Sequence, residues 1–142
     1  MRGCDLYRQR LWIGALAALV VGLAGCGGKS RPKTIPISGR VTIDGKAPGE
    51  SGKLYFTPTQ AADGYSMRPA SGSFNAAGNY RVISWTPDDG LVPAHYTVSV
   101  VPGDLNATAI PTRYHQSATS GLEVDVPVDK SKVEYNIDVL SK

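Results

Sequence analysis

The chain has 142 residues, the length of a single domain, and its 42% hydrophobic and 19% charged residues are the balance of a folded protein, which excludes a disordered chain. Its formal charge of +3 comes from 15 basic and 12 acidic residues; Arg2, Arg8, Arg10 and Asp5 lie ahead of Cys26, so the remainder holds 12 and 11 and a net of +1. Beyond Lys29, Arg31 and Lys33 it has no basic cluster, which removes the electrostatic case for nucleic-acid binding.

The first element is a positive stretch, Arg2 to Arg10, followed by the uncharged apolar run Leu11–Gly22. A bilayer-spanning helix needs about 20 apolar residues, so this 12-residue run has instead the length of a signal-peptide core. Leu23-Ala24-Gly25-Cys26 follows. Small residues ahead of a cysteine suit an extended backbone in a peptidase groove, and the thiol is the nucleophile that accepts a diacylglyceryl group. The order of these parts resembles a bacterial lipoprotein leader. The resemblance implies a helical signal peptide over 1–25 and lipidation at Cys26, with Leu23, Ala24 and Gly25 as the lipobox. Two or three acyl chains exceed the threshold for stable anchoring. The expected partner is therefore a membrane, and Gly27 after the cysteine, where inner-membrane retention uses Asp, points to the outer membrane of the cell envelope. Cys4 is lost with the leader, so no disulfide framework is expected. Residues 26–35 contain GGKSRPKTI after the cysteine and read as a flexible tether.

From residue 36 to 142 the pattern becomes one of alternation. Ile37, Val41 and Ile43 share a face opposite Ser38, Arg40 and Thr42, and Asp44-Gly45 is a turn signal. Leu54 and Phe56 point inward from a strand Lys53–Thr57. Residues 69–75 and 79–85 form a hairpin around Asn75–Asn79. Tyr96, Val98 and Val100 alternate through His95–Val101, and Leu122, Val124 and Val126 through the next strand. Val133, Tyr135, Ile137 and Val139 make a last strand. Seven amphipathic strands without a helix after residue 25 predict an all-β, seven-stranded β-sandwich of Ig-like architecture, with a small closed barrel as the alternative.

Four segments carry a family resemblance. Ile37–Ala47, Ala77–Val82 and Asp89–Val100 resemble the strands and turns of carboxypeptidase-regulatory-like (transthyretin-like) domains, and Ile110–Tyr114 with Thr119–Leu122 resembles the ending of small bacterial lipoproteins of this type. Ala94 stands where the family usually has Gly, and Ala47 where it usually has Pro. The resemblance implies a prealbumin-like sandwich, no catalysis and no cofactor.

Candidate chemistry is sparse. His115 near Ser117 and Ser120 lacks a nucleophile-elbow motif. Tyr114-His115 is half of a paired metal-ligand set, and zinc would need three or four ligands, so no metal is expected. Asp88-Asp89-Gly90 reads as turn chemistry, with calcium as the competing use. Asn106-Ala107-Thr108 matches a glycosylation sequon by chance. Trp85, Tyr65 and Tyr114 offer an aromatic platform for sugar or, as expected for Trp85, core filling. The connection Pro102–Gly121 is longer than ordinary loops and bears Arg113, Tyr114 and His115, a candidate partner surface for an envelope protein or a glycan. The competing expectation is that Ile110 and Tyr114 plug the domain. The functions that follow are a non-catalytic lipid-anchored module, a carbohydrate-binding module and, last, a hydrolase or metal enzyme.

Overall fold

The computed structural model describes residues 31–104, 107 and 109–142. The proposed leader, its lipobox Leu23, Ala24 and Gly25, Cys26 and the sequon's Asn106 and Thr108 lie outside the described residues. A compact unit runs from Pro32 to Lys142.

That unit is all-β. In chain order it has β1 (Ile37–Ile43), β2 (Gly52–Ala61), β3 (Ala70–Phe74), β4 (Asn79–Ile83), β5 (Ala94–Pro102), a 3-10 turn (Thr112–His115), a four-residue helix (Ser117–Ser120), β6 (Leu122–Val126), β7 (Val133–Glu134) and β8 (Ile137–Val139). All eight described strands join in one mixed sheet, ordered β6-β5-β2-β3-β4-β1-β7, with β8 also on β1. The sheet curls until it is nearly barrel-shaped.

Alternation sets the faces. Leu54, Phe56, Val82, Tyr96, Val98 and Val100 are all within 1% of complete burial. They join Ile35, Ile37, Val41, Ile137 and Val139 in one core. Each such aliphatic or aromatic side chain contributes about 1.5–3 kcal/mol of hydrophobic stabilisation. Tyr96 also turns its hydroxyl to the carbonyl of Val92 at 2.8 Å.

Besides the short helix Ser117–Ser120, where no helix was expected, three expectations differ from the structure. Strand β2 is longer than Lys53–Thr57 because it continues along β5 through a register shift at Pro58/Gln60. Proline is tolerated there because β3 pairs only with Gly52–Phe56, leaving that edge of Pro58 without a ladder partner. Trp85 is not core: β4 ends at Ile83, and Trp85 lies half-buried beyond it with the Arg68 guanidinium 4.1 Å above its ring.

The third difference organises the sheet. The expected strand Val133–Val139 is two strands, both parallel to β1, with Ile37 and Ser38 facing β7 and Val41–Ile43 facing β8. Between them the chain bulges over Gly39. Tyr135 N donates to Ser38 O at 3.0 Å, and Arg40 N donates to the Asn136 side-chain oxygen at 2.9 Å, which replaces the missing ladder carbonyl. The Tyr135 carbonyl accepts from the Tyr80 hydroxyl. A Cβ on Gly39 would stand 2.0 Å from that carbonyl oxygen.

Gly39→Ala should therefore cost about 3 kcal/mol, since the Tyr135 backbone must move away and the Tyr80 ring must give. Gly45→Ala, at φ 75° with open space around it, should cost only about 1–2 kcal/mol. Urea unfolding of the two variants checks the ranking.

Candidate functional site

The topology gives the domain two ends. At one, residues 62–69, 84–93 and 127–132 connect the strands beside the incoming chain. At the other lie residues 44–51, 75–78 and the long connection after β5.

Arg113, Tyr114 and His115 occupy the 3-10 turn of that long connection, and their side chains part company. Tyr114 is 5% exposed and Ile110 4%, both in the core. The Tyr114 hydroxyl accepts from Leu140 N at 3.2 Å and from Arg113 at 3.0 Å. Arg113 reaches on to the carbonyls of Leu140 and Lys142, and Thr119 Oγ1 donates to Arg113 O at 2.6 Å. A His115 ring nitrogen lies 3.1 Å from Ile110 O. Ser120 is buried, its hydroxyl donating weakly to Ser117 O and accepting from Leu122 N. Gly121, at φ 65°, ends the helix in the left-handed conformation that glycine favours. Most polar groups of this segment thus bond backbone, either its own or that of Leu140 and Lys142; of the Arg113, Tyr114 and His115 trio, Arg113 alone is exposed.

Asp88 and Asp89 also diverge. Asp88 pairs with Arg81 at 3.0 Å on the surface. Asp89 accepts from Ser84 N, Trp85 N and Thr86 N at 2.7, 2.9 and 3.0 Å, holding the loop after β4 as a turn. Partial burial pushes its pKa up, but the three amide bonds outweigh that and set it below the ordinary 3.8. No group of three or more His, Cys, Asp or Glu among the described residues is arranged to hold a metal ion.

The outward face of the sheet is the larger open surface. Cross-strand register aligns Glu134, Ser38, Arg81, Ser73 and Lys53 in one row across β7, β1, β4, β3 and β2. The adjacent row is Ile83, Ser71, Tyr55 and Ser99, of which Ser99 is buried. Tyr55 and Ile83 are each 42% exposed. A shallow hollow of about 730 Å³ lies over Ser38, Arg40, Asn79, Arg81, Glu134 and Asn136. A second, of about 560 Å³, shares Asn79 and Arg81 and reaches Ser73 and Ile83.

Arg40 donates one N–H to Ala77 O, and Arg81 donates to exposed Asp88. An exposed ion pair of this kind is worth about 0–1 kcal/mol, so Arg81 is readily redirected to a ligand. Guanidinium forks, hydroxyls and amides beside an exposed ring make a surface for reversible polar recognition. The sequence pattern already put Arg40 on a polar face, and the inward Leu54 and Phe56 imply an outward Tyr55. What it lacked was strand order, which brings Arg40 and Arg81 to one hollow. Farther along this face His95 lies between Glu123 (3.5 Å) and Asp125 (4.0 Å). Tyr65, the third aromatic expected on a sugar platform, belongs to the loop after β2 at the other end from Tyr114.

No protein-family model, curated protein or solved structure matches the chain.

The Asp89 geometry has a pH consequence. A carboxylate whose folded pKa is depressed contributes stability above its unfolded value and loses it as pH falls through the folded one. The wild-type melting temperature should fall below pH 3.8. Asp44, lowered by its bonds with Ser141, adds to that fall. Asp89→Asn should melt lower than wild type at pH 7 and lose less on acidification. Thermal unfolding monitored by circular dichroism between about pH 2 and 7 tests this.

Proposed function

We propose that this chain is a bacterial lipoprotein, held to the cell envelope by lipid on Cys26 and carrying a carboxypeptidase-regulatory-like (transthyretin-like) domain that acts as a non-catalytic interaction module. The observation that carries the proposal is the order of parts. Arginines, a 12-residue apolar run and Leu23-Ala24-Gly25-Cys26 are followed, nine residues after the cysteine, by Ile35, the first fully buried residue of the domain. No described helix is long and apolar enough to cross a membrane.

The prealbumin-like sandwich belongs to this reading. Its support is the curl of the sheet, which turns the inner residues of β5 and β2 and those of β1, β4 and β8 into one core. The outer membrane is the proposed location, from Gly27. The polar outer face is the proposed contact surface, and an envelope protein is the proposed partner.

A second reading is recognition of an envelope glycan. It is favoured by Tyr55, an exposed ring on the outward face beside the hydroxyl-bearing Ser71, in the row next to Arg81.

Expression of Cys26→Ser in a bacterial host should abolish incorporation of labelled fatty acid and block normal processing. A variant that is still processed and still membrane-bound refutes the anchoring. For the glycan reading, Tyr55→Ala should weaken retention on a uronic-acid polysaccharide roughly three- to ten-fold, the range of one lost aromatic contact. Equal retention of variant and wild type removes that reading.

A further inference from the structure

The incoming chain is fastened to one end of the domain. Ile35 and Leu91 exchange both backbone hydrogen bonds, at 2.7 and 2.9 Å. Val133 N donates to Pro36 O at 3.0 Å, which ties in the loop 127–132, and Ala62 N donates to Pro93 O at 3.2 Å, which ties in the loop 62–69. Three loops and the tether's end therefore form one connected surface. A Cβ on Gly90 would fall 1.9 Å from Ile35 O, so the approach of tether and loop is close and fixed.

Ile35 lies nine residues after Cys26. A span of that length reaches at most about 30 Å. A cysteine held at a bilayer thus keeps this end within a short distance of it, at an effective concentration where weak contacts suffice.

The chemistry of the end fits such a neighbour. Met67 is 59% exposed and Val128 46%, two of the most exposed large apolar residues of the described chain. Half-buried Trp85 lies on the same loops under Arg68, an aromatic–cation pair of the kind that suits a headgroup region. Lys33, Lys130 and Lys132 are exposed beside them. Of the five acids here, Asp88 is paired with Arg81 and Asp89 with backbone amides; Asp63, Asp125 and Asp129 are exposed around one hollow with Val128. Lys33, Arg68, Lys130 and Lys132 exceed those three by one charge.

We propose that this end is a membrane-contacting face: Met67, Val128 and Trp85 enter the headgroup layer of an anionic bilayer, and the neighbouring lysines and Arg68 meet its phosphates. The proposal presupposes the anchoring proposed above. It orients the domain with Arg113 and the long connection outward, away from the membrane.

Trp12 and Trp85 are the two tryptophans, and Trp12 lies ahead of Cys26, so the processed chain reports on this end through Trp85 alone. The full lipidated protein, its acyl chains verified by mass, is reconstituted into phosphatidylcholine–phosphatidylglycerol vesicles with and without brominated acyl chains. Trp85 emission should be roughly halved by the brominated lipid. Raising salt from about 0.05 to about 0.5 M should relieve part of that quenching, because screening weakens the lysine contacts. Met67→Asp with Val128→Asp, both at exposed positions, should restore emission while the circular dichroism spectrum stays that of wild type. Unquenched Trp85 in the acylated protein, or equal quenching in the double variant, overturns the orientation and leaves the anchoring intact. A processed chain without acyl mass overturns the anchoring and the orientation with it.

Discussion

Strand β1 is hydrogen-bonded along both edges, and on one of them its partner changes halfway. β4 runs antiparallel on one side; on the other, β7 gives way to β8 at a bulge over Gly39. The sheet's closure depends on this place. The Tyr135 carbonyl needs the space that a side chain at residue 39 would occupy, and it needs the Tyr80 hydroxyl as donor. Burial pushes the Tyr80 pKa well above its ordinary value, so that hydroxyl remains a donor at any physiological pH. The Asn136 side chain then repairs the ladder at Arg40. The same repair gathers Arg40, Glu134 and Asn136 at one hollow, so the feature that closes the sheet also shapes its most polar outer surface.

Polar groups elsewhere follow a common logic. Asp89 collects three amides, Arg113 three oxygens, and Arg68 the carbonyl of Ser84. A barrel-like sheet with few helices leaves many loop amides and carbonyls without ladder partners, and buried or half-buried ones must be satisfied. Charged side chains in the connections do much of that work. Residues that look chemically inviting in a sequence, such as Asp89 or the Arg113-Tyr114 pair, here bond backbone groups of the fold.

This explains what the sequence disclosed. Inward positions from Leu54 to Val126 were readable because period two reports one strand's own geometry. The turns at Asp44-Gly45 and Asn75–Asn79 were readable because left-handed and Asx conformations select their residues; Asn75 Oδ1 indeed accepts from Ala77 N and Asn79 N. The division of Val133–Val139 was hidden, since Tyr135 keeps the alternation while its carbonyl leaves the ladder. Trp85 was misplaced because hydrophobicity does not say where β4 stops. The hollow around Arg40 and Arg81 was hidden most deeply, because it depends on which strand lies beside which.

The pairing of β1 with β8 joins residues about a hundred positions apart, as Thr42 and Asp138 illustrate with their 2.6 Å hydrogen bond. At synthesis rates of about 5–20 residues per second, β1 emerges roughly 5–20 s before the strand that completes it. Until then Val41 and Ile43 have one edge unfilled and the core is open. Folding during synthesis therefore waits for the C-terminal strands, and a chain that stops short of Ile137 lacks the edge that completes β1.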